Sequence, residues 1–170
     1  MLRCFFLLMA VALLPGVAQA ADWTATKLRG GVFAGPASGG GAWVPLRRGD
    51  SVDGTRVIRT LGNGHAEFQS GAETIAFGPG TQAEILDRAG ARYTVVVEQA
   101  GAVAISAEAR NVQHFSVETP YLVAVVKGTL FTVATDARGS GVSVARGLVA
   151  VTNRRSHALT LLPAGRAMAI

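Results

Sequence analysis

The chain has 170 residues, of which 49% are hydrophobic and 16% charged, a balance that favours an ordered protein over a disordered one. Its net charge is +5, but no basic cluster exceeds two adjacent residues, so nucleic acid is not an expected partner. The 21 glycines and the scarcity of helix-favouring runs predict an all-β chain with many short strands and glycine-rich turns.

The segment Met1–Ala20 has the pattern of a secretory signal peptide. Arg3 precedes a short apolar run, and the segment ends in an A-x-A pattern, which predicts cleavage after Ala20. Residues 21–170 would then form one β-domain, exported through the inner membrane to the periplasm and without a membrane span after signal removal. The single cysteine, Cys4, lies inside the signal, so we expect no disulfide in the mature protein.

Alternating apolar residues bounded by glycine and proline predict strands along the rest of the chain. In chain order these are Trp23–Leu28, Val32–Phe33, Ala42–Val44, two short segments after Gly49-Asp50 and Asp53-Gly54, His65–Phe68, Thr74–Phe77, Gln82–Leu86, Tyr93–Glu98, Val103–Ile105, Phe115–Val117, Leu122–Val126, Thr129–Thr135, Val142–Val144, Leu148–Thr152, Ala158–Leu162 and Arg166–Ile170.

Further predictions concern particular segments of the chain. Gly101 and the cluster Asp136–Gly141 are expected to be turns, and Ser106–Gln113 a loop or one helical turn. The continuous apolar run Leu122–Val126 predicts a strand that is buried on both faces. The glycine-rich stretch 35–41 lacks the G-K-[ST] ending of a phosphate-binding loop, so we interpret it as a hairpin loop.

Two groups of residues, taken in order and spacing, carry a resemblance to a known family. The first group is Gly49, Asp50, Gly54 and Thr60, within LRRGDSVDGTRVIRT; the second is Thr119, Pro120, Gly128, Thr129, Phe131 and Gly147, between VETP and RGLVAV. With these residues the chain resembles the FecR-type domain, a bacterial periplasmic module. The resemblance implies a compact β-domain, solenoid-like or sandwich, with a regulatory or binding role. The sequence shows no pattern of the spanning helix or of the anti-sigma segment that such regulators have, so we expect a stand-alone version.

The same motif residues make sense as structural positions. The pairs Gly49-Asp50 and Asp53-Gly54 suit turns in which the aspartate bonds its own backbone. A calcium loop would need more oxygen ligands at regular spacing, and these are missing from the sequence around Asp50 and Asp53. We therefore interpret all ten motif residues as structural.

The titratable residues do not predict catalysis. His65, His114 and His157 are far apart, and the chain has no G-x-S-x-G motif. His65 and Glu67 match half of a zinc deaminase motif, but the cysteines of the other half are missing, so a surface pair on a strand is the better interpretation. We expect no catalytic residues, no cofactor and no bound metal.

The function predicted from these observations is the binding of a protein partner in cell-envelope signalling or assembly. One alternative is a cell-wall or carbohydrate-binding module that uses Trp23, Trp43, Tyr93 or Tyr121 as stacking platforms. Another alternative is a hydrolase, because a catalytic triad or a carboxylate pair can assemble from distant positions.

Overall fold

The computed structural model describes residues 23–38, 40–88 and 93–170, and within these ranges every regular element is a β-strand. The predicted signal peptide, Met1–Ala20, lies outside the described residues. In the described ranges, no helix is long and apolar enough to cross a membrane.

Sixteen strands form the fold of the described ranges. They are β1 (Trp23–Arg29), β2 (Val32–Pro36), β3 (Val44–Pro45), β4 (Ser51–Val52), β5 (Arg56–Thr60), β6 (His65–Ser70), β7 (Glu73–Phe77), β8 (Gln82–Arg88), β9 (Tyr93–Ser106), β10 (Phe115–Glu118), β11 (Leu122–Val126), β12 (Leu130–Asp136), β13 (Gly139–Arg146), β14 (Leu148–Asn153), β15 (Leu159–Pro163) and β16 (Ala167–Ala169).

The strands belong to one hydrogen-bonded sheet that divides into two layers. The first layer has the order β4-β1-β6-β7-β9-β12-β13-β16, and the second has the order β3-β2-β5-β8-β9-β10-β11-β14-β15. Neighbouring strands pair antiparallel, except β9 and β10, which pair parallel. The all-β prediction is confirmed, and the layered antiparallel pairing corresponds to the sandwich alternative.

Both layers contribute side chains to one apolar core. Trp23 of the first layer meets Phe115 of the second edge to face, with ring centroids 6.1 Å apart. Phe68 and Phe77 form a similar pair within the first layer, at 5.3 Å. Each fully buried side chain of this size stabilises the fold by roughly 1.5–3 kcal/mol, so the layers are held together mainly by this core.

Strand β9 joins the two layers, and the prediction of two strands separated by a turn at Gly101 is wrong. The structure has one 14-residue strand, whose first half pairs with β8 and β10 and whose second half pairs with β7 and β12. Gly101 has φ 99°, which bends the strand without reversing it. A β-carbon there would lie 2.3 Å from the Cα atom of Thr81, so this crossing requires glycine.

The turn between β12 and β13 is tighter than the predicted cluster Asp136–Gly141. Strand β12 ends at Asp136 and β13 begins at Gly139, which leaves two residues for the turn. The Asp136 carboxylate accepts the backbone N–H groups of Arg138 at 2.7 Å and Gly139 at 3.2 Å. These N–H groups, with the Arg138 side chain, hold the pKa of Asp136 below its ordinary value. The carboxylate closes the turn, and the glycines that follow belong to the strand.

Strand β11 is buried on one face only, so the prediction of two buried faces is wrong. Its inward residues, Leu122, Ala124 and Val126, are buried, whereas Val123 and Val125 are half-exposed. A short apolar run has no periodicity that could distinguish these two arrangements. The outer surface of the second layer is therefore apolar where β11 meets β14.

Candidate docking site

The motif residues Gly49, Asp50 and Gly54 lie in the turns around β4. Gly49 has φ 92°, and the Asp50 carboxylate accepts the backbone N–H of Arg47 at 2.8 Å. A β-carbon on Gly54 would lie 2.9 Å from a methyl carbon of Leu86. These residues set the backbone path of the turns.

Thr60, the last residue of β5, connects this strand to neighbouring segments through its buried hydroxyl group. The hydroxyl donates to the Gly78 carbonyl at 2.6 Å and accepts the backbone N–H of Thr81 at 2.8 Å. The Thr81 hydroxyl in turn accepts the backbone N–H of Ala102, in β9, at 3.0 Å. Thr60 therefore fastens the end of β5 to the segment between β7 and β8, and through Thr81 to β9.

Thr119 and Pro120 form the turn between β10 and β11. The Thr119 hydroxyl accepts the backbone N–H groups of Tyr121 at 3.1 Å and Leu122 at 3.0 Å. Pro120 has no backbone N–H group, and it occupies the turn position at which no N–H hydrogen bond is required.

Gly128, Thr129, Phe131 and Gly147 lie where β12 begins. Gly128 has φ 151° and Gly147 has φ 90°. A β-carbon on Gly128 would lie 2.3 Å from the Cα atom of Ala109, and one on Gly147 would lie 2.6 Å from a methyl carbon of Thr129. Phe131 is a core residue. The ten motif residues thus occupy turns, close approaches and the core, and they do not form a common surface.

The three histidines occupy separate places. His65 is exposed at the start of β6, His157 is exposed in the turn between β14 and β15, and His114 is buried before β10. Glu67 pairs with Lys27 at 3.0 Å across the strands β1 and β6. In the described ranges no group of three or more His, Cys, Asp or Glu side chains could hold a metal ion.

A polar cluster anchors the connection 107–114, which is an irregular loop, as one of the two alternatives predicted for Ser106–Gln113 has it. Glu73, at the start of β7, lies 2.8 Å from His114 Nε2 and 3.1 Å from the Arg110 guanidinium. The backbone N–H of Arg110 donates to the Lys127 carbonyl at 2.7 Å. These contacts tie the loop to both layers, which gives the cluster a structural role.

A second polar group closes one end of the core. The hydroxyls of Thr119, Thr135 and Ser140 form a buried chain with links of 2.9 Å. Glu98 is fully buried beside them, and neither of its carboxyl oxygens has a well-aligned hydrogen bond among the described residues. Burial raises the pKa of Glu98 to about 9, an effect that the Thr135 hydroxyl opposes. Glu98 is therefore protonated at neutral pH.

A surface cavity of about 620 Å³ adjoins this polar end, and its lining includes Thr135, Ser140, Asp136 and Arg138. Asp136 and Arg138 are already paired at 3.1 Å. The residues that line the cavity include no histidine that could activate the Ser140 hydroxyl. This is not the arrangement of a hydrolase triad.

The aromatic residues proposed as sugar platforms have different environments. Trp23 is buried in the core and cannot stack on a ligand. Trp43 is half-buried, and the Arg59 guanidinium carbon lies 4.1 Å from the centre of its ring. The Tyr121 hydroxyl donates to the Ala137 carbonyl at 2.8 Å, and Tyr93 is half-buried at the start of β9.

The most distinctive exposed surface is apolar and lies on the outside of the second layer. Strand pairing places Val123 and Val125 of β11 on the same outer face as Leu148 of β14 and Leu159 and Leu161 of β15. We call these five residues the leucine face. Leu159 is 65% exposed, Leu161 is 59% exposed and Leu148 is 49% exposed. Single exposed apolar residues are ordinary, but a contiguous group is typical of an interaction surface.

The leucine face ends at the free edge of the sheet. Among the described residues, β15 pairs only with β14, so its other side carries no strand. Exposed edges of this kind pair readily with other chains. No motif residue predicted this site. The spacing of Leu159 and Leu161 is its only signal in the sequence, because the continuous apolar run of β11 predicts burial on both faces.

Residues 56–150, more than half of the chain, match the family described as FecR protein. The chain belongs to the FecR family. FecR proteins are regulatory and of a non-catalytic kind. The matched residues extend from the first residue of β5 into β14, so β15 and two of the five residues of the leucine face lie beyond them.

The fold of this FecR protein is also similar to a solved structure. A crystal structure of a proposed anti-sigma factor from Parabacteroides distasonis superposes with a TM-score of 0.59 at 16% identity. The match covers 67% of this chain and 54% of the other, so it spans about half of that protein's length. At this identity the likeness shows the fold alone. No curated protein is significantly similar to the chain.

Proposed function

We propose that this FecR protein is a non-enzymatic periplasmic module that binds a protein partner in cell-envelope signalling or assembly. The leucine face is the observation that carries the proposal. It combines exposed leucines with an unpaired strand edge, and these two features together are typical of protein-binding surfaces.

The regulatory character of the family supports a binding role. The surroundings of two buried acidic residues support it as well. Glu73 contacts His114 and the Arg110 guanidinium, and burial keeps Glu98 protonated at the end of the core. Neither group lies beside a nucleophile and a base arranged for catalysis.

Affinity capture from envelope extracts tests the proposal. The tagged protein is compared with a variant that carries Leu159→Ser and Leu161→Ser, and with the control Val112→Ser. Val112 is 63% exposed, close to the 65% of Leu159, but it lies in the loop 107–114 outside the leucine face. We expect the native protein and the control to retain the same envelope protein and the double variant to lose it.

The same experiment separates the alternatives. Retention of purified peptidoglycan or other glycans, with no protein recovered, would support the carbohydrate-binding alternative and contradict the proposal. Fractionation of the cells tests the location, because the protein is expected in the periplasmic fraction. Recovery in the cytoplasm would contradict that part of the proposal.

A further inference from the structure

The backbone groups on the free side of β15 can be identified from the hydrogen bonds at its two ends. At the start, the Asn153 N–H donates to the Ala158 carbonyl at 3.0 Å; at the end, the Ala164 N–H donates to the Gly147 carbonyl at 3.0 Å. Residues of an antiparallel strand alternate between facing their partner and facing away. Thr160 and Leu162 therefore face β14, and the N–H and C=O groups of Leu159 and Leu161 face outward.

The free edge is short and has a defined end. Pro163 has no N–H group, and its carbonyl already accepts the backbone N–H of Arg166 at 3.2 Å. The available ladder is thus limited to the N–H and C=O groups of Leu159 and Leu161. This ladder fits a short extended segment, whose alternate side chains would extend the leucine face beside those two leucines.

Both ends of β15 carry positive charge. Arg154 and Arg155 lie in the turn before the strand, and Arg166 follows it. Arg154 is paired with Glu118 at 2.8 Å, whereas Arg155 and Arg166 are exposed and form no ion pair within the described part of the chain. An added strand would therefore meet an unpaired arginine at each end.

The charge pattern disfavours a second copy of the chain on this edge. In antiparallel self-pairing, Arg155 of each copy lies towards Arg166 of the other. In parallel self-pairing, each arginine lies beside its own equivalent. Like charges opposite one another destabilise strand pairs, so either arrangement is opposed. A segment with acidic residues at both ends is complementary to Arg155 and Arg166, whether it pairs parallel or antiparallel to β15.

We propose that the free edge of β15 binds an extended segment of the partner protein as an additional strand, and that this segment has apolar residues at alternate positions and aspartate or glutamate at both ends. The proposal rests on the protein-binding function proposed above and specifies how the partner binds. Main-chain hydrogen bonds hold the segment, the leucine face selects its apolar side chains, and the arginines select its charge.

Two synthetic peptides test this proposal with the purified exported protein. The first, DEVTVTVDE, has the expected pattern, and the second, KKVTVTVKK, differs only at its ends. We expect the acidic peptide to bind about tenfold more tightly in fluorescence anisotropy, as two or three exposed ion pairs would produce, and to weaken as salt is raised. Arg155→Glu with Arg166→Glu should reverse the preference.

Hydrogen exchange of backbone amides locates the bound peptide. The amides of Leu159 and Leu161 should exchange quickly in the free protein and at least tenfold more slowly with the acidic peptide bound. Those of Thr160 and Leu162, already directed towards β14, serve as internal controls and should change little. Equal binding of both peptides, protection on another strand, or a dimer that pairs through β15 would overturn the proposal.

Strand addition and the proposed protein-binding function can fail independently of each other. If an envelope protein is captured through Leu159 and Leu161 but no protection of these two amides follows peptide binding, strand addition is wrong and the protein-binding function stands. If the peptide protects the two amides but no envelope protein is captured, the proposed function is wrong and the edge still binds acidic extended segments.

Discussion

Gly128 lies so close to Ala109 that a β-carbon on the glycine would be 2.3 Å from the Ala109 Cα atom. The contact holds the loop 107–114 against the start of β12, with the Arg110 N–H bonded to the Lys127 carbonyl beside it. The family-motif residue Gly128 is therefore a joint between two backbone segments.

Gly128→Val is expected to destabilise the protein by about 3 kcal/mol, because the side chain meets backbone atoms at a φ of 151°. Chemical denaturation of the two proteins measures the difference. Gly62→Ala is the control, because a β-carbon at Gly62 has no atom within 4 Å. Equal stability of the native protein and Gly128→Val would show that the joint tolerates a side chain.

Thr60→Val should cost about 2 kcal/mol of unfolding free energy, because it leaves the buried Thr81 N–H and Gly78 carbonyl without their hydroxyl partner. Thr60→Ser keeps the hydroxyl and should retain most of the stability. A Thr60→Val protein as stable as the native one would mean that both backbone groups find other partners.

Glu98 makes stability depend on pH with a predictable sign. Its pKa is raised from 4.5 in the unfolded chain to about 9 in the fold, so the folded state holds the proton more tightly. Below pH 4.5 both states are protonated and the group contributes no dependence. Between pH 4.5 and about pH 9, unfolding releases the proton of Glu98. The free energy of unfolding of the native protein therefore falls by up to about 1.4 kcal/mol per pH unit as pH rises.

Glu98→Gln should remove this dependence, since the amide does not titrate. The unfolding free energies of the native protein and the variant, measured between pH 5 and pH 8, should diverge in favour of the variant as pH rises. A constant difference across this range would show that Glu98 does not remain protonated inside the fold.

The strands were predictable from the sequence because alternation and glycine punctuation are local signals. β10, β11 and β14 follow the predicted positions closely. The continuity of β9 was not predictable, because Gly101 gives the same local signal whether it reverses a strand or bends one. The bend depends on Thr81, which is distant in sequence and close in space.

The candidate site was even less accessible to prediction. Leu159 and Leu161 belong to a short apolar strand, and nothing local distinguishes an exposed apolar strand from a buried one. Their position on the surface follows from the pairing of β15 at the edge of the second layer, next to β14 and the half-exposed valines of β11. The family motifs did not indicate the position of the candidate site, because their residues form turns and core contacts.

Photo-crosslinking in living cells tests the central claim most directly. A photoreactive amino acid replaces Leu161 in one strain and Val112 in a control strain, and crosslinked products are identified after illumination. The leucine face predicts one reproducible adduct with an envelope protein from position 161 and none from position 112. No adduct at position 161, or the same adducts at both positions, would contradict the claim that this face binds a protein partner.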